Sequence, residues 1–348
     1  MRMQRGIVLI LSLLVLIILV VIIAQMSSES VQNMIVAENM VADLANSYAL
    51  RSAYFHALLY LQHDADKGGR VDSLHEEWAK LRTLDLGGSQ VDFIIEDQER
   101  KINLAYLIEQ GEEAKKVNQA VADQFSRIMD LLGHEEKYAR MILDYIDPDI
   151  EGEYEIGARN QLPLILEELL QIEGMIPEVL YGGEVNGQEV KGIVGFVTLI
   201  PPASEQTGQS EESEENEQEQ VTRSEDKWQI NINTAPAEVL ESLSPGLTPQ
   251  IVQNIISYRE AVDSEGKGME FKSVQDLRNV QGISEELFEE IKDLFKVTST
   301  HFLIRTKARA GKLEKNWAYL VRREGGQIKL LRSRRYYDHL RMHKPEQD

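Results

Sequence analysis

Eighteen consecutive residues, Ile7 to Ala24, carry no charge and, apart from Ser12, no polar side chain. As a helix at about 1.5 Å per residue they reach about 27 Å, close to the ~30 Å hydrocarbon thickness of a bilayer. The segment is therefore expected to span a membrane. Arg2 and Arg5 precede it without an acid, and Glu29 is the first charge after it. The positive-inside bias then places the N-terminus in the cytoplasm and the rest of the chain across the bilayer. A cleavable secretory peptide fits less well, because Ala24-Gln25-Met26 runs into Ser27-Ser28 without an A-x-A site. Beyond the span, Val31, Met34, Ile35, Val41, Leu44, Tyr48, Phe55 and Leu59 recur at helical spacing, with neither Pro nor Gly before Asp64. One helix of roughly 55 residues, apolar first and amphipathic afterwards, is expected. An ordinary anchor with a juxtamembrane helix would give the same pattern.

Behind that helix the chain is too long for one core: 348 residues suggest two or three domains. Cysteine is absent, which removes disulfides, thiolate metal sites and cysteine nucleophiles. The i,i+4 pair His339 and His343 has Leu340 where a zinc-protease helix needs Glu, and no nucleophile elbow, P-loop or dinucleotide fingerprint occurs. No catalytic residue is assigned, and the chain is read as non-enzymatic. Thirty-seven bases against 58 acids give a formal charge of −21, which disfavours nucleic acid.

Lys67-Gly68-Gly69 and Leu86-Gly87-Gly88 punctuate the chain before a strand expected at Val91 to Glu96. Helices follow at Ala114 to Leu132, Glu135 to Ile146 and Pro163 to Ile172, then a strand-like run from Val190 to Ile200. Part of this block is repeated later. Ile102-Asn103-Leu104 recurs as Ile230-Asn231-Ile232, the helix ending in Tyr145 as one ending in Tyr258, and Glu168-Leu169 through Gly174-Met175 as Asp276-Leu277 through Gly282-Ile283. Between the copies, residues 201–226 hold nine acids, one base and no aromatic residue, a solvated acidic linker in composition. In the second copy Pro245-Gly246-Leu247-Thr248-Pro249 and Gln281-Gly282-Ile283-Ser284 each set a hydroxyl before a helix, as helix-hairpin-helix elements of the SAM-like kind do. Strands return at Thr300 to Lys307, Trp317 to Arg323 and Gln327 to Arg332, and from Arg305 onward thirteen bases face five acids. Those cations suit either a basic sheet edge for a partner or protection of that edge against unwanted pairing.

The densest chemistry lies in Asp144-Tyr145-Ile146-Asp147-Pro148-Asp149-Ile150-Glu151-Gly152-Glu153-Tyr154-Glu155, six acids in twelve residues. Calcium takes six to eight oxygens, and such a loop can supply them. Asp147-x-Asp149-x-Glu151-Gly152 starts like an EF-hand loop, but Ala158 stands at the twelfth position. Asp144, Asp147, Asp149, Glu151, Glu153 and Glu155 are the candidate ligands, against the alternative of a solvated acidic loop.

The basic hexapeptide ending in Gly6 and followed by Ile7 resembles a prepilin-type leader. Leu11 stands at the fifth mature position, where most pseudopilins carry Glu. With the spine helix, the strand, the duplicated insertion and the terminal strands in this order, the chain resembles the minor pseudopilin K family of type II secretion systems. The resemblance implies an α+β fold in which a pilin-like long helix and small antiparallel sheet carry a large inserted SAM-like, helix-hairpin-helix region. It divides the chain into a leader (1–6), a transmembrane segment (7–24), an amphipathic helix (25–64), the first part of the head (65–100), a first SAM-like domain (101–200), the linker (201–226), a second SAM-like domain (227–297), and C-terminal strands with a basic tail (298–348). It further implies cleavage by a prepilin peptidase between Gly6 and Ile7 with N-methylation of Ile7. Assembly with minor pseudopilins I and J at the pseudopilus tip, an inner-membrane anchor and a periplasmic body follow from the same resemblance. The family's calcium segment, D-W-x-D-x-D, resembles Asp144 to Asp149, while Arg159 replaces the acid usual after Gly-Ala. The rival resemblance is to membrane-anchored competence receptors, whose tandem hairpins take DNA phosphates at helix N-termini. Here Thr248 and Ser284 replace the second hairpin glycines, and Trp228 to Val297 holds twelve acids against six bases.

Overall fold

The computed structural model describes residues 2–66, 71–109, 116–148, 152–154, 158–202, 227–262, 268–324 and 326–336, with side chains described from Ile10 onward. The first helix, α1 (Arg2–Asp66), is continuous, as the absence of Pro and Gly allows after Gly6. From Ile10 it is long and apolar enough to cross a membrane, and its apolar side chains there are exposed. Burial begins only at Asn46. Ala49, Ala53 and Ala57 recur every four residues and let the helix approach a sheet closely, while Leu50 and Leu61 fill the spaces beside them.

That sheet has five antiparallel strands in the order β1-β2-β9-β10-β11. They are β1 (Arg82–Leu86), β2 (Ser89–Asp97), β9 (His301–Ala310), β10 (Leu313–Glu324) and β11 (Gln327–Arg335). β1 escaped the sequence reading because Arg-Thr-Leu-Asp-Leu is short, and its turn residues Gly87 and Gly88 read as punctuation; both have positive φ, as a tight hairpin turn requires. Alternation on β2 sends Val91, Phe93 and Ile95 towards α1, where they meet Phe302, Ile304, Ala308 and Val321 in one apolar cluster. The opposite face carries Glu96, Leu303, Leu320 and Arg332 in one cross-strand row, with Arg305, Ala318 and Arg334 in the next.

Between β2 and β9 the chain leaves the sheet and builds the duplicated helical block. The first copy runs β3 (Ile102–Asn103), α2 (Gln119–Leu131), α3 (Glu136–Ile146), a 3₁₀ turn at Leu166–Gln171, α4 (Pro177–Tyr181), a hairpin of β4 (Gly182–Val185) and β5 (Gln188–Lys191), and β6 (Val197–Thr198). The second runs β7 (Ile230–Asn231), α5 (Ala237–Leu243), α6 (Pro249–Glu260), a 3₁₀ turn at Val274–Asn279, α7 (Glu285–Ile291) and β8 (Phe295–Lys296). In each copy the Ile-Asn strand pairs in parallel with the strand that closes that copy. Asn103 Oδ1 accepts from Ala105 N and Ile200 N, so the repeated Asn ties entrance to exit; Asn231 does so with Oδ1 accepting from Asn233 N and Nδ2 donating to the Ser299 hydroxyl oxygen.

Two expectations are corrected. Pro163 to Ile172 is not an α-helix but the six-residue 3₁₀ turn, because Pro163 cannot join a helix interior and Gly174, at positive φ, closes the segment. Val190 to Ile200 is not one strand: a 3₁₀ turn at Ile193–Gly195 divides it, where Gly192 leaves no room for a side chain against Tyr181 and Gly182. Residues 203–226 of the acidic linker (201–226) and the tail from 337 lie outside the described residues. The copies share one continuous apolar cluster, and Arg127 of α2 donates to the carbonyls of Ser242 and Leu243 at the end of α5. They therefore pack as one body.

Candidate functional site

Gly6 and Ile7 lie in α1, outside the described side chains, and Leu11 is exposed on the same helix. Of the six acids proposed for calcium, Asp149, Glu151 and Glu155 lie outside the described residues. Asp144 is near the end of α3, where its Oδ2 accepts from Tyr154 N at 2.9 Å and folds the loop back on the helix. Asp147, the C-cap of α3, is buried, and Glu153 stands 3.7 Å from Arg140. Among the described residues, Asp144, Asp147 and Glu153 do not converge into a group of carboxylates within metal-binding distance of one another.

The acids that converge most tightly among the described residues were not singled out from the sequence. Asp64 at the end of α1 and Asp72 and Glu76 in the following loop bring one carboxylate oxygen each within 4.8 Å of one another. Arg323 of β10 lies among them, bonded to Asp64 Oδ2 at 2.6 Å, to Asp72, and to the Ser299 carbonyl at 3.1 Å, with its guanidinium 4.8 Å from the Phe302 ring centre. Asp72 Oδ2 accepts from Ser299 N at 2.7 Å, and the Asp72 carbonyl accepts from Asn231 Nδ2 at 3.0 Å. One guanidinium thereby joins the spine helix, the sheet and the root of the second copy. Burial, against the pull of Arg323, pushes the Asp72 carboxyl up to about 6. Burial, with the neighbouring Asp64 carboxyl also adverse, pushes Glu76 up to about 7. Ser73-Leu74-His75-Glu76 has the S-x-x-E form of a capping box, and Glu76 Oε2 indeed accepts from Ser73 N at 2.9 Å. That motif was the available signal.

A second polar layer continues from this clasp. Buried Asp97, at the end of β2, accepts through Oδ2 from Asn231, from the Thr234 hydroxyl at 2.6 Å and from the Ser299 hydroxyl at 2.7 Å. Burial and the nearby Glu99 charge raise its pKa. Glu99 itself is held down to about 2: burial opposes its charge, but a 2.7 Å bond from His301 Nδ1 and Lys296 at 2.5 Å outweigh it. Glu96 lies beneath Lys101 and Arg305, which together with Arg100 hold its carboxyl low despite burial. Such a layer joins head and helical block through groups that each need their partner.

The tandem hairpins face each other reciprocally. Gly246 of the first packs under Leu287 of the second, and Gly282 of the second under Ile251 of the first. The Thr248 hydroxyl accepts from Ile251 N at 3.5 Å and the Ser284 hydroxyl from Leu287 N at 3.2 Å. Each capping hydroxyl therefore engages one amide of the helix it starts, and α7 presents Glu285, Glu286 and Glu289 to solvent. No constellation of nucleophile, base and oxyanion donors accompanies them among the described residues.

Comparison with known proteins divides along the same line. The helix-hairpin-helix motif family matches residues 225–296. Over 63 residues the chain is 43% identical to the endonuclease/exonuclease/phosphatase family domain-containing protein 1 of Xenopus laevis, and 41% identical to the ComE operon protein 1 of Bacillus subtilis (strain 168). These stretches are 18% of this chain but only 10% and 27% of those proteins, so the chain spans a small part of the relatives it matches. A chain of the solved GspK-GspI-GspJ complex from the type 2 secretion system of enterotoxigenic Escherichia coli superposes with a TM-score of 0.59 at 18% identity, over 85% of this chain and 96% of that one. Over that 85% this chain shares the fold of that chain.

Proposed function

We infer that this chain is a K-type minor pseudopilin, a non-enzymatic subunit that stands at the tip of a type II secretion pseudopilus and supports protein export across the outer membrane. The observation that carries the reading is the fold likeness over 85% of the chain, because it includes the duplicated insertion as well as the pilin-like part. In this reading α1 anchors the subunit in the inner membrane with its body in the periplasm. A prepilin peptidase cuts between Gly6 and Ile7, and Ile7 is N-methylated. Leu11 offers no carboxylate for a neighbour's terminal amine, which would be costly to bury unpaired. The subunit then makes only one of the two axial contacts of a shaft subunit. The bulk of the helical block, roughly 200 residues against a typical domain of 100–150, leaves little room for another head above it. Minor pseudopilins of the I and J kinds are the partners that cover its flanks.

Calcium belongs to this proposal as a structural ion. Asp144, Asp147, Asp149, Glu151, Glu153 and Glu155 would hold it, and its charge would relieve the repulsion of six acids in twelve residues. The rival is a membrane-anchored DNA receptor, favoured by the hairpin match and opposed by the acidic exposed side of α7 and the excess of six acids between Trp228 and Val297. Detergent-solubilised full-length protein should co-purify with I-type and J-type minor pseudopilins and fail to retain duplex DNA at about 50 mM salt, where phosphate contacts are strongest. Gold labelling should mark one pseudopilus end. DNA retention, or label along the shaft, would remove the tip assignment.

A further inference from the structure

On the sheet face away from α1, a pocket of about 140 Å³ opens between the sheet and the first helical copy. Two adjacent cross-strand rows form its floor: Leu303, Leu320 and Arg332 in one, Arg305, Ala318 and Arg334 in the other. Leu164, Ile165, Leu166 and Tyr181 come down from the helical copy as the opposite wall. The size is informative, since an apolar cavity of about 150 Å³ accommodates benzene. So is the charge. Four cations, Lys101, Arg305, Arg332 and Arg334, line the pocket against two acids, Glu96 and Glu167. Glu96 serves Lys101 and Arg305 at depth, and Glu167 sits 2.8 Å from Arg334 at the mouth. Arg332 donates to the Leu164 carbonyl, and burial together with the adjacent Arg334 charge lowers its pKa. A second anion at the mouth would relieve both arginines.

The mouth is also a sheet edge. β11 ends the strand order, and no strand pairs with its outer side among the described residues. An extended chain laid beside β11 can add as a further strand while its end turns into the pocket. We propose that this pocket captures the C-terminus of another protein chain, seating a terminal apolar side chain of about benzene size between the sheet and Leu164–Leu166 while Arg332 and Arg334 hold the free carboxylate. Bidentate guanidinium–carboxylate bonding supplies the head-group recognition, the apolar walls the side-chain selection, and the β11 edge the backbone contacts.

The test uses the full chain in detergent micelles and a fluorescein-labelled hexapeptide ending in phenylalanine, read by polarisation. The free-acid peptide should bind saturably, and its C-terminal amide at least about tenfold more weakly, the loss expected when one charge-assisted contact is removed. The double variant R332Q/R334Q should lose binding to a similar degree. Ala318→Leu, which fills the floor from a buried position, should abolish it without changing the charge. Unlabelled 3-phenylpropanoate separates the sources of the carboxylate: it should compete only at much higher concentration than the peptide, because it lacks the strand contacts. Equal binding of acid and amide, equal affinity of peptide and 3-phenylpropanoate, or no saturable binding would each overturn the proposal.

Discussion

Replacing Arg323 with glutamine removes the cation that, among the described residues, Asp64 and Asp72 share. Above pH 7.5 Asp72, raised only to about 6, is ionised and nearly inaccessible, so the variant leaves an uncompensated buried charge. Breaking a buried pair on one side costs about 3–5 kcal/mol. At pH 5 the account changes. Asp72, raised to about 6, and Glu76, raised to about 7, already hold protons in the folded protein, so the guanidinium no longer has the buried Asp72 charge to compensate. What remains is the loss of its hydrogen bonds, about 2 kcal/mol in total. At roughly 2–4 °C per kcal/mol for a body of this size, R323Q should lower the melting temperature by about 6–20 °C at pH 8 and about 4–8 °C at pH 5. Trp78 is a suitable reporter: it is buried with its ring 5.2 Å from Phe302, whose ring also carries Arg323. Melting followed by tryptophan fluorescence and circular dichroism at both pH values decides the matter. The sign for the parent protein follows from the same groups. A carboxyl whose folded pKa is raised keeps its proton where the unfolded chain has lost it, so stability falls as pH rises from about 4 to about 6, by roughly 3 kcal/mol for Asp72 alone. Equal loss in R323Q at both pH values would refute the shared-cation account.

Mass spectrometry of the mature N-terminus should find an N-methylated Ile7, and Gly6→Asp should leave the chain uncut; an intact Met1 or a cut near Ser27 contradicts the leader. Millimolar calcium should raise the melting temperature relative to chelator by mass action, and no change would leave the acidic loop merely solvated. Gly282→Ala should destabilise by about 1–3 kcal/mol, because φ is +97° and the new Cβ would stand 3.0 Å from Ile251. Gly246→Ala, with Leu287 Cδ1 at 2.5 Å, should cost a similar amount unless that side chain turns aside; two neutral variants would mean that the hairpins do not pack reciprocally.

Local composition was enough for the parts of this protein that depend on near neighbours. Eighteen residues without a charge dictate a membrane-length helix, β2 alternates because Val91, Phe93 and Ile95 do, and Thr248-Pro249 and Ser284 start helices where hydroxyl and proline chemistry places such starts. The duplication was legible because each copy repeats the same short-range requirements, down to an Asn that staples entrance to exit. Tertiary structure decided the rest. β2 pairs with β9 across the whole inserted block, and only that register sets Arg305, Arg332 and Arg334 around one pocket. Asp64, Asp72 and Arg323 each read as an ordinary surface charge, yet 251 positions separate Asp72 from the cation that holds it. Helical and strand periods report which face of an element is buried, whereas burial raises the cost of a charge only once a distant segment has excluded water from it. The clasp and the pocket therefore exist only when the chain has closed.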